Sequence, residues 1–175
     1  TSTHLLQKAL RNVLGDHVTQ AGSYVDSERL RFDFHHFSAM TKEELKLVEL
    51  EVNKKILEDL AVNIREMPVD EAKKEGAMAL FGEKYGNIVR VVKTGEYSTE
   101  LCGGTHLKHT AQAGLIKILG ESGVAAGVRR IEALTGQNAI AYFNEKENQL
   151  NDVAGALRAA PQDTLRKAES ISAEL

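Results

Sequence analysis

Apolar positions along this chain recur with two different periods. Leu6, Leu10, Val13 and Leu14 fall on one helical stripe, and Gly15 is placed to end that helix. Leu30, Phe32 and Phe34 alternate with Arg31, Asp33 and His35, which is a strand with one buried face. Gly22 to Val25 reads as its hairpin partner, joined through the polar turn Asp26-Ser27-Glu28-Arg29. Thr41 to Glu44, "TKEE", is a capping box with Thr41 as N-cap and Glu44 reaching back. The helix that follows carries Leu45, Val48, Val52, Ile56 and Leu60 on one face.

Further on, Val62 to Glu66 is a short strand stopped by Pro68, and "PVDEAKKEG" a short helix terminated by Gly76. Ile88 to Lys93, Gly114 to Leu119 and Gly127 to Leu134 are three more strands. Phe81 to Gly86 reads as a turn at a pocket rim, with Phe81 structural. From about Asn138 the pattern is helical, with a break at Pro161 and a polar amphipathic restart. The strands come as hairpin neighbours rather than alternating with helices. The pattern therefore predicts an α+β fold, a two-layer antiparallel sheet with packed helices, followed by C-terminal helices.

Composition narrows the function classes. The 175 residues suffice for one ordinary domain or a domain with an appendage. A single cysteine cannot close an internal disulfide, which suits a reduced, cytoplasmic setting and leaves the thiol as buried group, nucleophile or ligand. No secretory pattern opens the chain, and no apolar run approaches the roughly 20 residues of a membrane span. A net charge of −3 argues against coating nucleic acid through bulk charge, though not against docking one structured RNA on a local basic patch. The chain opens without methionine, as if inside a helix, and is expected to be a fragment of a longer protein.

The cysteine lies in "TELCGGTH", Thr99 to His106. Cys102 and His106 are four residues apart, a spacing that a Gly-rich loop brings to one point, and thiolate with imidazole suits zinc. Gly103 and Gly104 permit positive φ and close backbone approach. The alternative is a buried thiol beside an incidental histidine. His17 is expected to be exposed, His35 and His36 to have surface or turn roles, and His109 to be solvated. His4 stands just before the apolar stripe of the first helix. Helical ligand pairs are spaced i, i+4, so its partner would be the residue preceding Thr1.

At this point five blocks carry a resemblance: "TSTHLL", "LRFDFHHF", "GAMALFGEKYG", "STELCGGTH" and "ESGVAAGVRRIEALTG". In order and spacing they resemble the editing domain of alanyl-tRNA synthetase over residues 1 to 141, and the tail resembles the linker that follows it. Free-standing editing relatives share the metal motifs, and the threonyl-tRNA synthetase editing domain is a more distant cousin. The resemblance implies zinc held by H-x3-H and C-x3-H, hence by His4, Cys102 and His106, with a fourth histidine before Thr1. It implies hydrolysis of the ester joining serine or glycine to alanine tRNA, with that tRNA and the rest of the synthetase as partners. A pocket built for alanine cannot strongly reject glycine or serine, so a second, hydrolytic site is needed.

Within such a site Thr3 is the candidate reader of the serine hydroxyl, the alternative being that Thr1, Ser2 and Thr3 only cap the helix. Gln20 matches a polar position of the family's pocket and is placed to orient ester or water, the alternative being an exposed loop glutamine. The N–H groups of Gly103 and Gly104 are candidates for an oxyanion site. Whether zinc activates water or only shapes the pocket stays open at this level. Cys102 is less suited to covalent attack, since no dedicated base accompanies it. Arg129 and Arg130 should point to opposite faces of a strand, at most one toward RNA and the other toward a carboxylate such as Glu132 or Glu100. Lys8 and Arg11, a turn apart on the first helix, are candidate phosphate contacts against a solvated default. Two other classes fit the same sequence: a structural zinc module that only binds RNA, and a partner-binding module acting through the C-terminal helix.

Overall fold

The computed structural model describes residues 1–78 and 86–174. The rim turn expected at Phe81 to Gly86 lies, but for Gly86, outside the described residues. The chain divides into two compact units, Thr1–Gly136 and Gln137–Leu175.

In the first unit, α1 (Ser2–Leu14) is followed by β1 (Gln20–Val25), β2 (Leu30–His35) and α2 (Lys42–Leu57). Then come β3 (Val62–Pro68), α3 (Val69–Lys74), β4 (Ile88–Thr94) and β5 (Ser98–Leu101). A short 3-10 turn, Thr110–Ala113, leads into β6 (Ile116–Ala125) and β7 (Val128–Thr135). The fold is α+β and its strands are antiparallel, as the hairpin pattern predicts, but they divide between two sheets. One has the order β1-β2-β7-β6, the other β3-β4-β5.

The larger core lies between the four-stranded sheet and the two long helices. Leu5, Leu6, Ala9 and Leu10 of α1 meet Leu30, Phe32 and Phe34 of β2, Ile131 of β7 and Val48, Val52 and Ile56 of α2. The period-2 reading of β2 holds: Leu30, Phe32 and Phe34 are buried. Gly15, at φ 116°, ends α1 by sending its N–H to Arg11 O. The capping box of α2 is fully formed between Thr41 and Glu44. A smaller core under the three-stranded sheet joins Met67, Val89, Val91 and Leu101 to Ala72 of α3.

Polar groups of α2 finish the outer edge of β6. Asn53 donates to Ile116 O and accepts from Ile116 N–H, both at 2.9 Å. Glu49 accepts from Ile118 N–H at 2.7 Å while pairing with Lys117. An otherwise bare strand edge is thereby covered. β6 runs to Ala125, past the expected stop at Leu119. Register shifts at Ile118/Gly120 and Gly123/Ala125 let the strand absorb its glycines, which by composition read as a turn.

In the second unit, α4 (Gly136–Ala156, its first residue belonging to the first unit) is followed by the Pro161–Asp163 turn and α5 (Thr164–Glu174). Among the described residues no helix is long and apolar enough to cross a membrane.

Candidate metal centre and pocket

Three chain segments build the site. The first turn of α1 carries Thr3, His4 and Gln7. The bulged start of β1 carries Gln20, where the register with β2 shifts. β5 and the loop after it carry Glu100, Cys102 and His106. β5 was not legible as a strand: it is four residues long, and its polar Thr-Glu pair masks the burial of Ser98, Glu100 and Leu101. Its pairing with β4 (Val92 opposite Glu100) sets the cysteine loop beside α1.

Ligand atoms of His4, Cys102 and His106 all lie within 4.8 Å of one another. His106 Nε2 is 3.4 Å from Cys102 Sγ, and the two imidazole rings are 4.6 Å apart. His4 is 6% exposed, and its Nδ1 is buried with no hydrogen-bond partner among the described residues. A soft thiol, two imidazoles and a buried unpartnered ring nitrogen form the donor set that zinc takes. Both histidines are held neutral, as ligands must be. Burial first, and then the neighbouring His106, pushes His4 down to about 3. Burial lowers His106 to about 4.

The surroundings orient these groups. Thr1 occupies the N-cap place of α1 but makes no side-chain cap bond. Its Oγ1 instead accepts from Leu107 N–H at 3.0 Å and lies 3.2 Å from His106 Nδ1. A hydroxyl oxygen can accept a second proton, so it suits the tautomer with Nδ1–H and a bare Nε2 facing the thiol. Glu100, 6% exposed, accepts from Ser98 Oγ at 2.7 Å and sets Oε2 3.6 Å from His4 Nε2. Burial pushes its carboxyl up to about 7, against the Ser98 hydrogen bond. Glu100 was not singled out for the site in the sequence. The signal was there in its place two residues before the cysteine, on a strand too short to recognise.

The donor wall borders a cleft of about 380 Å³, whose lining includes Thr3, His4, Gln7, Gln20, Glu100 and Cys102. Gln20 contacts Ser23 Oγ at 3.2 Å. Gly103 lines the cleft as well, whereas Gly104 turns its N–H toward Cys102 Sγ at 3.4 Å. Neither glycine has a positive φ, so the left-handed freedom expected of them is not used.

Other expected residues stand elsewhere. Arg129 pairs with Glu121 and Arg130 with Asp33, the latter through two 2.7 Å bonds. The expected partners differ: Glu132 faces Arg29 at 3.4 Å, and Glu100 lies in the cleft. Arg11 bonds Asp16 O, Val18 O and the Asp16 carboxylate, closing the loop after α1. Lys8 flanks a second, smaller hollow beside Glu100. His17 is exposed and His109 half-open beside Asp59, as expected. His36 departs from its expected surface role: it is 7% exposed, packed against Phe34 and bonded to His17 at 2.8 Å.

Comparison with known sequences gives the class first. Residues 89–132, which hold β4, β5 and the cysteine loop, match the threonyl and alanyl tRNA synthetase second additional domain. All 175 residues align with the alanine–tRNA ligase of Acetivibrio thermocellus at 65% identity, covering 20% of that protein. The alanine–tRNA ligase of Lysinibacillus sphaericus is 54% identical over 174 residues, which are 99% of this chain and 19% of that one. That of Pelotomaculum thermopropionicum is 57% identical over 171 residues, 98% of this chain and 20% of that one. The chain is thus similar to one segment of the alanine–tRNA ligases, and it spans about a fifth of the length of the curated relatives it matches.

Proposed function

We propose that this domain proofreads alanine tRNA by hydrolysing the ester that joins it to serine or glycine. The observation that carries the reading is the convergence of His4, Cys102 and His106, of which His4 and Cys102 line a cleft that also holds the buried Glu100. Zinc, when bound there, supplies Lewis acidity toward the ester carbonyl or toward a water. The chain's own groups do the rest. Thr1 and Glu100 aim the two imidazoles, and Gly104 N–H stabilises negative charge on Sγ. Gln20 and Thr3 line the route by which the ester enters and hold its polar atoms. Gly103 is left as the backbone donor for an oxyanion, since Gly104 N–H is directed to sulfur.

Residues 1–141 are proposed as the hydrolytic body and 142–175 as the helical link to the remainder of a synthetase, which with tRNA would be the partners, in the cytoplasm. Lys8 is the basic residue of α1 free of the loop-closing role that Arg11 has. Arg129 and Arg130 would reach phosphate only by sharing their carboxylate partners.

The test is release of serine and glycine from mischarged alanine tRNA, with zinc content measured in the same samples. Turnover in the wild type, with loss of both zinc and turnover in the Cys102→Ala, His106→Ala double variant, is expected. A zinc-loaded chain that binds the RNA and releases nothing would overturn the reading in favour of a structural RNA-binding module.

A further inference from the structure

Gln7 lies on α1 one turn beyond Thr3, lines the same cleft and is 2% exposed. Its Nε2 donates to Met78 Sδ at 2.8 Å. A thioether has no proton to give, so the nitrogen and not the oxygen of the amide must face it. The orientation of the other half follows. Oε1 is buried and, among the described residues, accepts no hydrogen bond. An acceptor so placed destabilises the fold unless something donates to it.

We propose that Gln7 Oε1 favours seryl over alanyl esters in the cleft by accepting the hydrogen bond of the seryl side-chain hydroxyl, an advantage that glycyl esters do not share. The inference rests on the deacylase reading above. The nucleic acid stays outside and the ester sits at the cysteine wall, so only the amino-acid side chain reaches a group as enclosed as Gln7. The polarity also fits. Gln7 offers a neutral oxygen, which suits a neutral O–H. Thr3, the reader expected from sequence, is only half-buried and is not among the buried side chains with an unmatched polar atom in the described residues. An alanyl group leaves Oε1 unmet, and a site built to hydrogen-bond a hydroxyl rejects the analogue that lacks it.

The experiment uses the 175-residue chain with zinc supplied. Hydrolysis of seryl- and alanyl-esters of alanine tRNA is compared, alongside calorimetric binding of non-hydrolysable seryl and alanyl 3′-amides of adenosine. The wild type should prefer seryl by about tenfold or more in both, the size of one well-made hydrogen bond. Gln7→Met, nearest in shape, should bring the seryl and alanyl values to one level, with seryl falling. A wild-type ratio near one, a ratio that survives Gln7→Met, or an equal loss for both substrates overturns the proposal. If Gln7→Met does not fold, the wild-type ratio decides. If hydrolysis is absent but the seryl-amide preference is present and vanishes in Gln7→Met, the deacylase reading falls and the role of Gln7 stands.

Discussion

Arg90 and Cys102 are bound to each other twice. Cys102 N–H donates to Arg90 O at 3.1 Å, and Arg90 Nη1 returns to Cys102 O at 2.7 Å. The same nitrogen reaches Gly104 O at 2.6 Å. A side chain from the middle strand of the small sheet thus fixes the curvature of the ligand loop, which has little packing of its own.

Removing that clamp should cost metal rather than fold. Arg90→Met is expected to weaken zinc binding by about 10- to 100-fold, the usual effect of losing an outer-shell support. Competition against a chromophoric chelator measures it. An unchanged affinity would show that the loop holds its shape without Arg90.

Glu100 supports the other half of the site through His4. Glu100→Ala should lower zinc affinity by a similar factor, about 10- to 100-fold, and seryl-ester hydrolysis with it. Parallel zinc titration and deacylation assays check this. Loss of hydrolysis with full zinc affinity would move Glu100 from orienting His4 to acting on the substrate.

Thr110 is fully buried and joins the end of α2 to the turn before β6. Its Oγ1 accepts from Leu60 N–H at 2.8 Å and donates to Lys55 O at 2.7 Å. Thr110→Val keeps the shape and leaves both backbone groups unmet, so stability should fall by about 1–3 kcal/mol. Urea unfolding should show a lower midpoint at unchanged slope.

The Asp33–Arg130 pair predicts an acid limb. The Arg130 hydrogen bonds hold the Asp33 carboxyl below its ordinary value of 3.8. A carboxyl depressed in the folded state contributes stability that is present above that ordinary value and lost as pH falls through the folded one. Melting temperatures between pH 6 and pH 3 should therefore fall less steeply in Asp33→Asn than in the wild type. Parallel curves would remove the pair from the acid response.

Much of this was legible in the chain, for physical reasons. Long periodic segments such as α1, β2 and α2 announce themselves because burial of one face fixes their residues. His4, Cys102 and His106 came together in the sequence only through the family resemblance, because the spacing of Cys102 and His106 fits a buried thiol beside an incidental histidine equally well. What escaped depended on partners distant in sequence. Glu100 and Gln7 look like ordinary surface residues until β5 and Met78 close over them. Arg130 could be assigned a carboxylate but not the right one, since the register opposing it to Asp33 comes from the β2–β7 pairing. His36 looked like a strand-end polar residue until His17 and Phe34 packed on it.

The contact between Thr1 and His106 joins residues 105 apart in sequence. Between them lie the large sheet's first hairpin, α2 and the whole of the small sheet. A ligand set spanning so much chain depends on contacts between α1 and the loop after β5, not on local structure. Metal capture would then be a late event, closing a loop whose entropy the fold has already surrendered. A bound ion would act as a non-covalent clasp between the first helix and the cysteine loop, and the rate of its uptake would report when the last tertiary contacts form.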